Sequence, residues 1–307
     1  MNPETLPESN LLRGQSPGAV PTSLDPSDVS PAEMYERFFG PAIFAPCAVL
    51  LLEHAAPRPG EAVLDLACGT GQVARRVAPL VGAGGSVTAL DVSPAMLAMG
   101  RSLPTPEGAV IEWVEGDAVA PALPDDAFDL VVCQQGLQFF PDRVAALGHV
   151  CRVLRPGGQA VFATWRGLEH HPVYQAMTEA ELAHLEPLGV GEDELQTPFS
   201  LEDEAELTGL LESAGLADVR IEDGTIEARF PGPDTWVRNM ELAYAAVIPA
   251  FAEDRRAFDE YVHAVEAETR DIVRRHTVGD HVVVPMHARI TIGTVAEERA
   301  LAGGRAS

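Results

Sequence analysis

From residue 61 to residue 165 short apolar runs alternate with amphipathic patterns, and that alternation restricts the fold more than any other feature of the chain. "EAVLDLA" (61–67), "SVTALDV" (86–92), "AVIEWVEGD" (109–117), "AFDLVVCQQ" (127–135) and "GQAVFATW" (158–165) read as strands. "GQVARRVAPLV" (71–81), "PAMLAMGRSL" (94–103) and "DRVAALGHVCRVL" (142–154) read as the helices between them. Strand–helix alternation of this kind predicts an α/β fold, a mostly parallel sheet with helices on both faces. Later come a polar helical stretch from about 170 to 195, a helix "LEDEAELTGLLESAG", a strand "DVRIEDGTIEARF", helical residues 234 to 276 and a last strand "HVVVPMHARITIGTV". The expectation is a seven-stranded Rossmann-like domain over residues 31–295, with stretches 170–195 and 234–276 forming a helical cap. Residues 1–30, rich in Pro and Ser, lack the basic start and apolar core of a secretory signal and read as a disordered lead-in, and 296–307 as a tail.

Charge and residue usage then exclude several functions. A net charge of −25 and no Arg-rich run leave nothing to hold a phosphate backbone, so nucleic acid is not an expected partner. All 21 basic residues are Arg. Without a lysine there is no P-loop, no Schiff base and no Tyr-x-x-x-Lys dehydrogenase. Cys47, Cys68, Cys133 and Cys151 form no C-x-x-C pair and no zinc spacing, which suits reduced thiols and a cytoplasmic location. No unbroken apolar run reaches the roughly 18 residues of a membrane span, so stable insertion is not expected. Oligomeric state, monomer or homodimer, is left open.

Gly69-Thr70-Gly71 with Ala74 fits G-x-G-x-x-A, and Asp91 follows 20 positions after Gly71 at the end of the next strand. Alone, this would suit a nicotinamide dinucleotide: glycine lets the backbone approach a ligand, and a carboxylate accepts from ribose hydroxyls. Two features depart from that pattern. Asp65 sits inside the strand four places before Gly69, and "EGDA" (115–118) closes the third strand.

Five ordered signals, "VLDLACGTG", "TALDVSPAML", "EGDA", "FDLVVCQQGLQFFPD" and "LRPGG", run from residue 63 to 158, with "RFFGPAIF" before them. Together they resemble the class I S-adenosylmethionine (SAM)-dependent methyltransferases, in particular the small-molecule group similar to the ubiquinone/menaquinone methyltransferases. The resemblance implies that Gly69 and Gly71, with Ala67 and Thr70 in the same turn, pass under the methionine part of SAM. It implies that Asp65 helps to hold the amino group, that Cys133 and Gln134 complete that end, and that Tyr35 is a further cofactor contact. Asp91 would bind the ribose diol, Met96 pack on adenine, Asp117 accept from the adenine amino group, and the Ala118 backbone reach the ring.

SAM carries an electrophilic methyl on a sulfonium, so the protein's task is alignment in a dry pocket. Gln138, Phe139, Trp165, Tyr174, Trp236 and Tyr244 are the candidate walls for a small, lipophilic or aromatic acceptor methylated on oxygen, carbon or nitrogen. "CQQGLQFF" lacks both the Asp/Asn-Pro-Pro-Tyr pattern of base and amide methylators and the carboxylate of metal-dependent catechol methyltransferases, so no catalytic metal is expected. "LEHHPVY" places Glu169, His170 and His171 just past the fifth strand, and His171 is the expected general base if one is needed. The competing readings are an NAD(P)-dependent oxidoreductase and a SAM-binding protein without catalysis.

Overall fold

The structure, a computed structural model, describes residues 30–245 and 248–297, apart from the side chains of 243–245 and 252. The expected tails, save Ser30, 296 and 297, lie outside the described residues, as does the side chain of Tyr244.

The chain starts on α1 (Pro31–Met34), where Ser30 and Glu33 form a capping box and Pro31 takes the first turn, a position that lacks a helical N–H partner anyway. It continues as a π-helical stretch, Tyr35–Phe44, into α2 (Ala45–Ala55). Pro41 inside the stretch cannot donate a backbone hydrogen bond, which favours the widened turn. Residues Pro31–Ala55 are long and apolar enough to cross a membrane by length and composition, but Cys47, Ala48, Leu51 and Leu52 are packed out of solvent in the core.

The alternating part follows as β1 (Ala62–Leu66), α3 (Ala74–Val81), β2 (Ser86–Asp91), α4 (Pro94–Ser102), β3 (Ile111–Glu115), β4 (Phe128–Gln134), α5 (Arg143–Val153) and β5 (Leu154–Trp165). β1, β2 and β4 are covered on both faces, which is why they read as nearly unbroken apolar runs. Side-chain caps start the helices: Ser93 accepts from the Met96 N–H and Asp142 from the Ala145 N–H.

The stretches expected to form a cap hold α6 (Pro172–Leu185) and α7 (Glu192–Gln196) and, after α8 (Glu204–Ala214) and β6 (Leu216–Pro231), α9 (Trp236–Ala245), α10 (Pro249–Glu253) and α11 (Arg255–Arg275). The single long helical run expected over 234–276 is therefore divided among α9, α10 and α11. Pro249 opens α10 and Asp254, accepting from the Arg256 N–H, caps α11. β7 (Thr277–Val278) and β8 (His281–Val295) close the chain.

The strand order is β3-β2-β1-β4-β5-β8-β6, parallel from β3 to β5, with β8 antiparallel to both its neighbours. β7 makes the sheet eight-stranded rather than seven, because Gly279 at φ +63° turns the chain back on itself after Val278. The long β6/β8 ribbon matters most for the site. β5 ends at Trp165, paired with Ala288, while β8 and β6 stay paired out to His281 and Pro231. The ribbon thus overhangs the carboxyl ends of the parallel strands, where open α/β sheets bind ligands.

Candidate functional site

At those carboxyl ends the backbone leaves ordinary conformational space. Ala67, just past β1, has φ +56°, Gly69 +54°, Gly71 +81°, and Gln135, just past β4, +54°. Left-handed alanine and glutamine at adjacent strand ends are strained, and such strain gathers at ligand sites. Gly136 shows how close the two turns lie: a Cβ there would come 2.8 Å from Ala67 Cβ.

Asp91, the last residue of β2, ties the glycine turn to the next strand. Its Oδ2 accepts from the Gly69 N–H at 2.7 Å and its Oδ1 from the Ser93 N–H at 2.8 Å, with 9% of the residue exposed. An ionised carboxylate offers about four acceptor positions, so two remain for a ligand diol. Asp65 lies deeper and accepts from the Ala74 N–H at 2.8 Å, at the start of α3. Burial pushes its carboxyl up to about 7, with the Ala74 bond opposing and the charge of Asp91 adding to the rise.

Tyr35 covers the turn. A Cβ on Gly69 would sit 3.5 Å from the Tyr35 hydroxyl, and the Tyr35 ring stacks on Phe44 at 4.4 Å between centroids. Burial first, then the charges of Asp91, Asp65 and Glu36, raise the phenol far above its usual range. It stays neutral.

Glu36, which sequence reasoning missed, holds this cover in place. It pairs with Arg75 at 2.8 Å and accepts from the Thr70 hydroxyl and the Gln72 amide, while Arg75 also donates to the Thr70 carbonyl. Gly40 makes the approach feasible, since a Cβ there would stand 2.9 Å from the Gln72 amide nitrogen. Thr70 thus serves the clamp through its hydroxyl. Gln134, at the end of β4, donates to the Phe44 carbonyl at 3.1 Å and so anchors the same stretch.

On the β2–β3 side Met96 is half-buried and Asp117 exposed, with Oδ1 accepting from the Val119 N–H at 3.0 Å; Ala118 is buried. Val92, next to Asp91, leaves 68% of its surface exposed, apolar area beside the crevice that the sequence did not single out. Three of the four cysteines are inert: burial raises the thiols of Cys47 and Cys133 to about 12 and that of Cys68 well above its ordinary value.

The expected base needs correction. His171 is fully buried; its Nδ1–H donates to the Gly167 carbonyl at 3.1 Å and its Nε2 accepts the His287 N–H at 3.0 Å. Burial lowers its pKa to about 4, and with both ring nitrogens held by backbone it has no lone pair for a substrate. It fastens the β8 overhang to the loop after β5. His170 Nε2 accepts from Arg166 at 2.8 Å, which occupies its basic nitrogen, and Glu169 is an exposed neighbour.

The candidate walls divide. Gln138 is buried and donates to Gln135, and Trp165 packs edge-on against His171, so both are framework rather than open wall. Phe139 is 54% exposed. Tyr174 and Trp236 sit on α6 and α9, each with a buried polar atom that meets no partner among the described residues.

Fold and crevice together define a class I methyltransferase domain. A dinucleotide-binding sheet of order 3-2-1-4-5-6 would carry no antiparallel β8 inserted before its last strand. Residues 63–158 match the family described as methyltransferase domain. The ubiquinone/menaquinone biosynthesis C-methyltransferase of Shewanella piezotolerans is 36% identical over 121 residues, 39% of this chain and 48% of that one. The 2-phytyl-1,4-naphtoquinone methyltransferase of Synechococcus elongatus is 38% identical over 113 residues, 36% and 48% of the two chains. The chain spans about half the length of these curated relatives. Among solved structures, the YcgJ protein of Bacillus subtilis aligns with TM-score 0.52 and 20% identity over 82% of this chain and 99% of that one. A phosphoethanolamine N-methyltransferase 2 of Haemonchus contortus, in complex with S-adenosylmethionine, aligns with TM-score 0.52 and 17% identity over 86% and 56%. These likenesses are of fold.

The residues present fit SAM, the cofactor of this class. Asp91 keeps free acceptor positions for a diol, Gly69 carries no Cβ between the turn and the Tyr35 ring, and Val92 and Met96 supply apolar surface nearby.

Proposed function

We propose that the protein transfers the methyl group of SAM to a small molecule with an apolar or aromatic body. The observation that carries this reading is Asp91, buried at the end of β2 and bonded to the glycine turn, within a segment that matches the methyltransferase domain family. In this reading Asp91 holds the ribose diol, and Gly69, Gly71 and Asp65 face the methionine end under Tyr35. Met96, Asp117 and Ala118 take the adenine.

Bound SAM would supply a methyl group already activated on sulfonium, so the protein's own contribution is position and dryness. The Glu36–Arg75 pair holds Tyr35 over the turn, and behind it Phe38, Phe39, Phe230 and Trp236 pack ring against ring in the core. Such packing keeps water from the inner side of the site, which favours a transfer in which the sulfonium charge is lost. With His171 and His170 committed to structural contacts, alignment of the acceptor rather than proton removal is the protein's main lever. The test is incubation with methyl-labelled SAM and a panel of phenols, quinones and amines. Label in a product heavier by one methylene supports the reading; SAM bound but never consumed favours a binding protein without catalysis.

A further inference from the structure

Helices α6 and α9 carry an acidic pair that methyl transfer does not use. Glu241 on α9 is fully buried and Glu181 on α6 is 8% exposed. Glu241 Oε2 accepts the hydroxyl of Tyr261 from α11, while its Oε1 meets no N–H or O–H donor among the described residues. Burial, and next the Glu181 carboxyl that hydrogen-bonds it, push Glu241 well above the usual carboxylate range. Two carboxylates in a dry site cannot both ionise, so the pair retains a proton. Tyr174, which feels the Glu181 charge, points a buried hydroxyl with no partner into the same interior. Glu241 Oε1 and the Tyr174 hydroxyl, buried and without a partner among the described residues, are the groups a ligand could engage there.

Tyr261 also connects the pair to the outside. Its ring stacks on Phe251 at 4.9 Å, lies edge-on to His184 at 6.3 Å, and lines a cleft of about 310 Å³ with Glu260 beside it. Arg238, the arginine of α9, is committed to Asp259 and to the face of Phe258. Aromatic faces in front of paired acids are a chemistry that selects a positively charged nitrogen on an apolar body.

We propose that Glu181, Glu241, Tyr261 and Tyr174 form a subsite for a cationic nitrogen of the methyl acceptor, reached through the Tyr261–Phe251 cleft. This rests on the methyltransferase reading given above. The held nitrogen anchors the acceptor and is not the atom methylated, because a protonated amine has no lone pair to attack with.

The test is titration of the full-length protein, with and without S-adenosylhomocysteine, using benzyltrimethylammonium and its neutral isostere neopentylbenzene. The wild type should prefer the cation. Glu241→Gln and Glu181→Gln should each weaken cation binding by roughly 10-fold or more, as for lost charge-assisted contacts, and leave the isostere and S-adenosylhomocysteine unaffected. Tyr261→Phe, a milder change, should weaken the cation alone if either glutamine variant does not fold. Equal affinity for cation and isostere, or unchanged cation affinity in the folded variants, would overturn the subsite while normal S-adenosylhomocysteine binding leaves the methyltransferase reading standing. Cation selectivity without S-adenosylhomocysteine binding would overturn that reading instead, and with it the assignment of the nitrogen to a methyl acceptor.

Discussion

The Gly69 N–H donates to Asp91 Oδ2 at 2.7 Å, so the carboxylate at the end of β2 fixes the turn that leaves β1. One side chain thereby shapes the turn and, in the proposed reading, presents acceptors to a ribose. Replacing it with alanine removes both functions without opening the core. Asp91→Ala is expected to weaken S-adenosylhomocysteine binding by about 1.5 to 3 kcal/mol, measured by calorimetry on a variant whose circular dichroism matches the wild type. Unchanged affinity would remove Asp91 from the site.

His171 should register in stability rather than in turnover. Its folded pKa, about 4, lies below the ordinary value of 6.5, so the unfolded chain binds more protons between those values. Stability is therefore complete above pH 6.5 and falls as the pH drops toward 4, by roughly 2 kcal/mol between pH 6.5 and 5 from this group. Urea unfolding across that range should show the slope in the wild type and a flatter one in His171→Gln. An identical slope in both would place the dependence elsewhere.

The buried pair Glu36–Arg75 should behave as a unit. Removing one partner strands a charge whose surroundings are mostly dry, so Glu36→Gln or Arg75→Met is expected to cost about 3 kcal/mol. The double variant should cost clearly less than the sum of the two, read from denaturant midpoints. Strict additivity would mean that the pair carries no coupling.

Gly71 is constrained twice, by φ +81° and by Trp113, whose ring would stand 2.4 Å from an added Cβ. Gly71→Ala should destabilise by about 2 to 4 kcal/mol. Trp113→Leu in the same chain should recover the part due to the clash and not the part due to φ. No recovery at all would show that backbone strain alone is responsible.

These contacts mark what the sequence could and could not reveal. β8, expected over "HVVVPMHARITIGTV", spans those same residues because β-branched side chains crowd it, in runs at Val282–Val284 and Ile290–Ile292. The position of Asp91, ending β2 beside the glycine turn, was legible since motif and strand end lie close in sequence. Glu36 and Arg75 stand 39 positions apart, and nothing local in either segment points to the other. His171 was misread for a related reason: a histidine after a strand end looks free until Gly167 and His287 are seen to take both its nitrogens. The break of 234–276 into three helices depended on caps at Pro249 and Asp254 that helical periodicity hid.

The central claim, that the crevice between β1 and β2 binds SAM rather than a nicotinamide dinucleotide, is tested most directly by calorimetric titration of the wild-type chain with S-adenosylhomocysteine and, separately, with NAD. The account expects saturable one-site binding of S-adenosylhomocysteine and no saturable heat with NAD; saturable NAD binding with none for S-adenosylhomocysteine would contradict it.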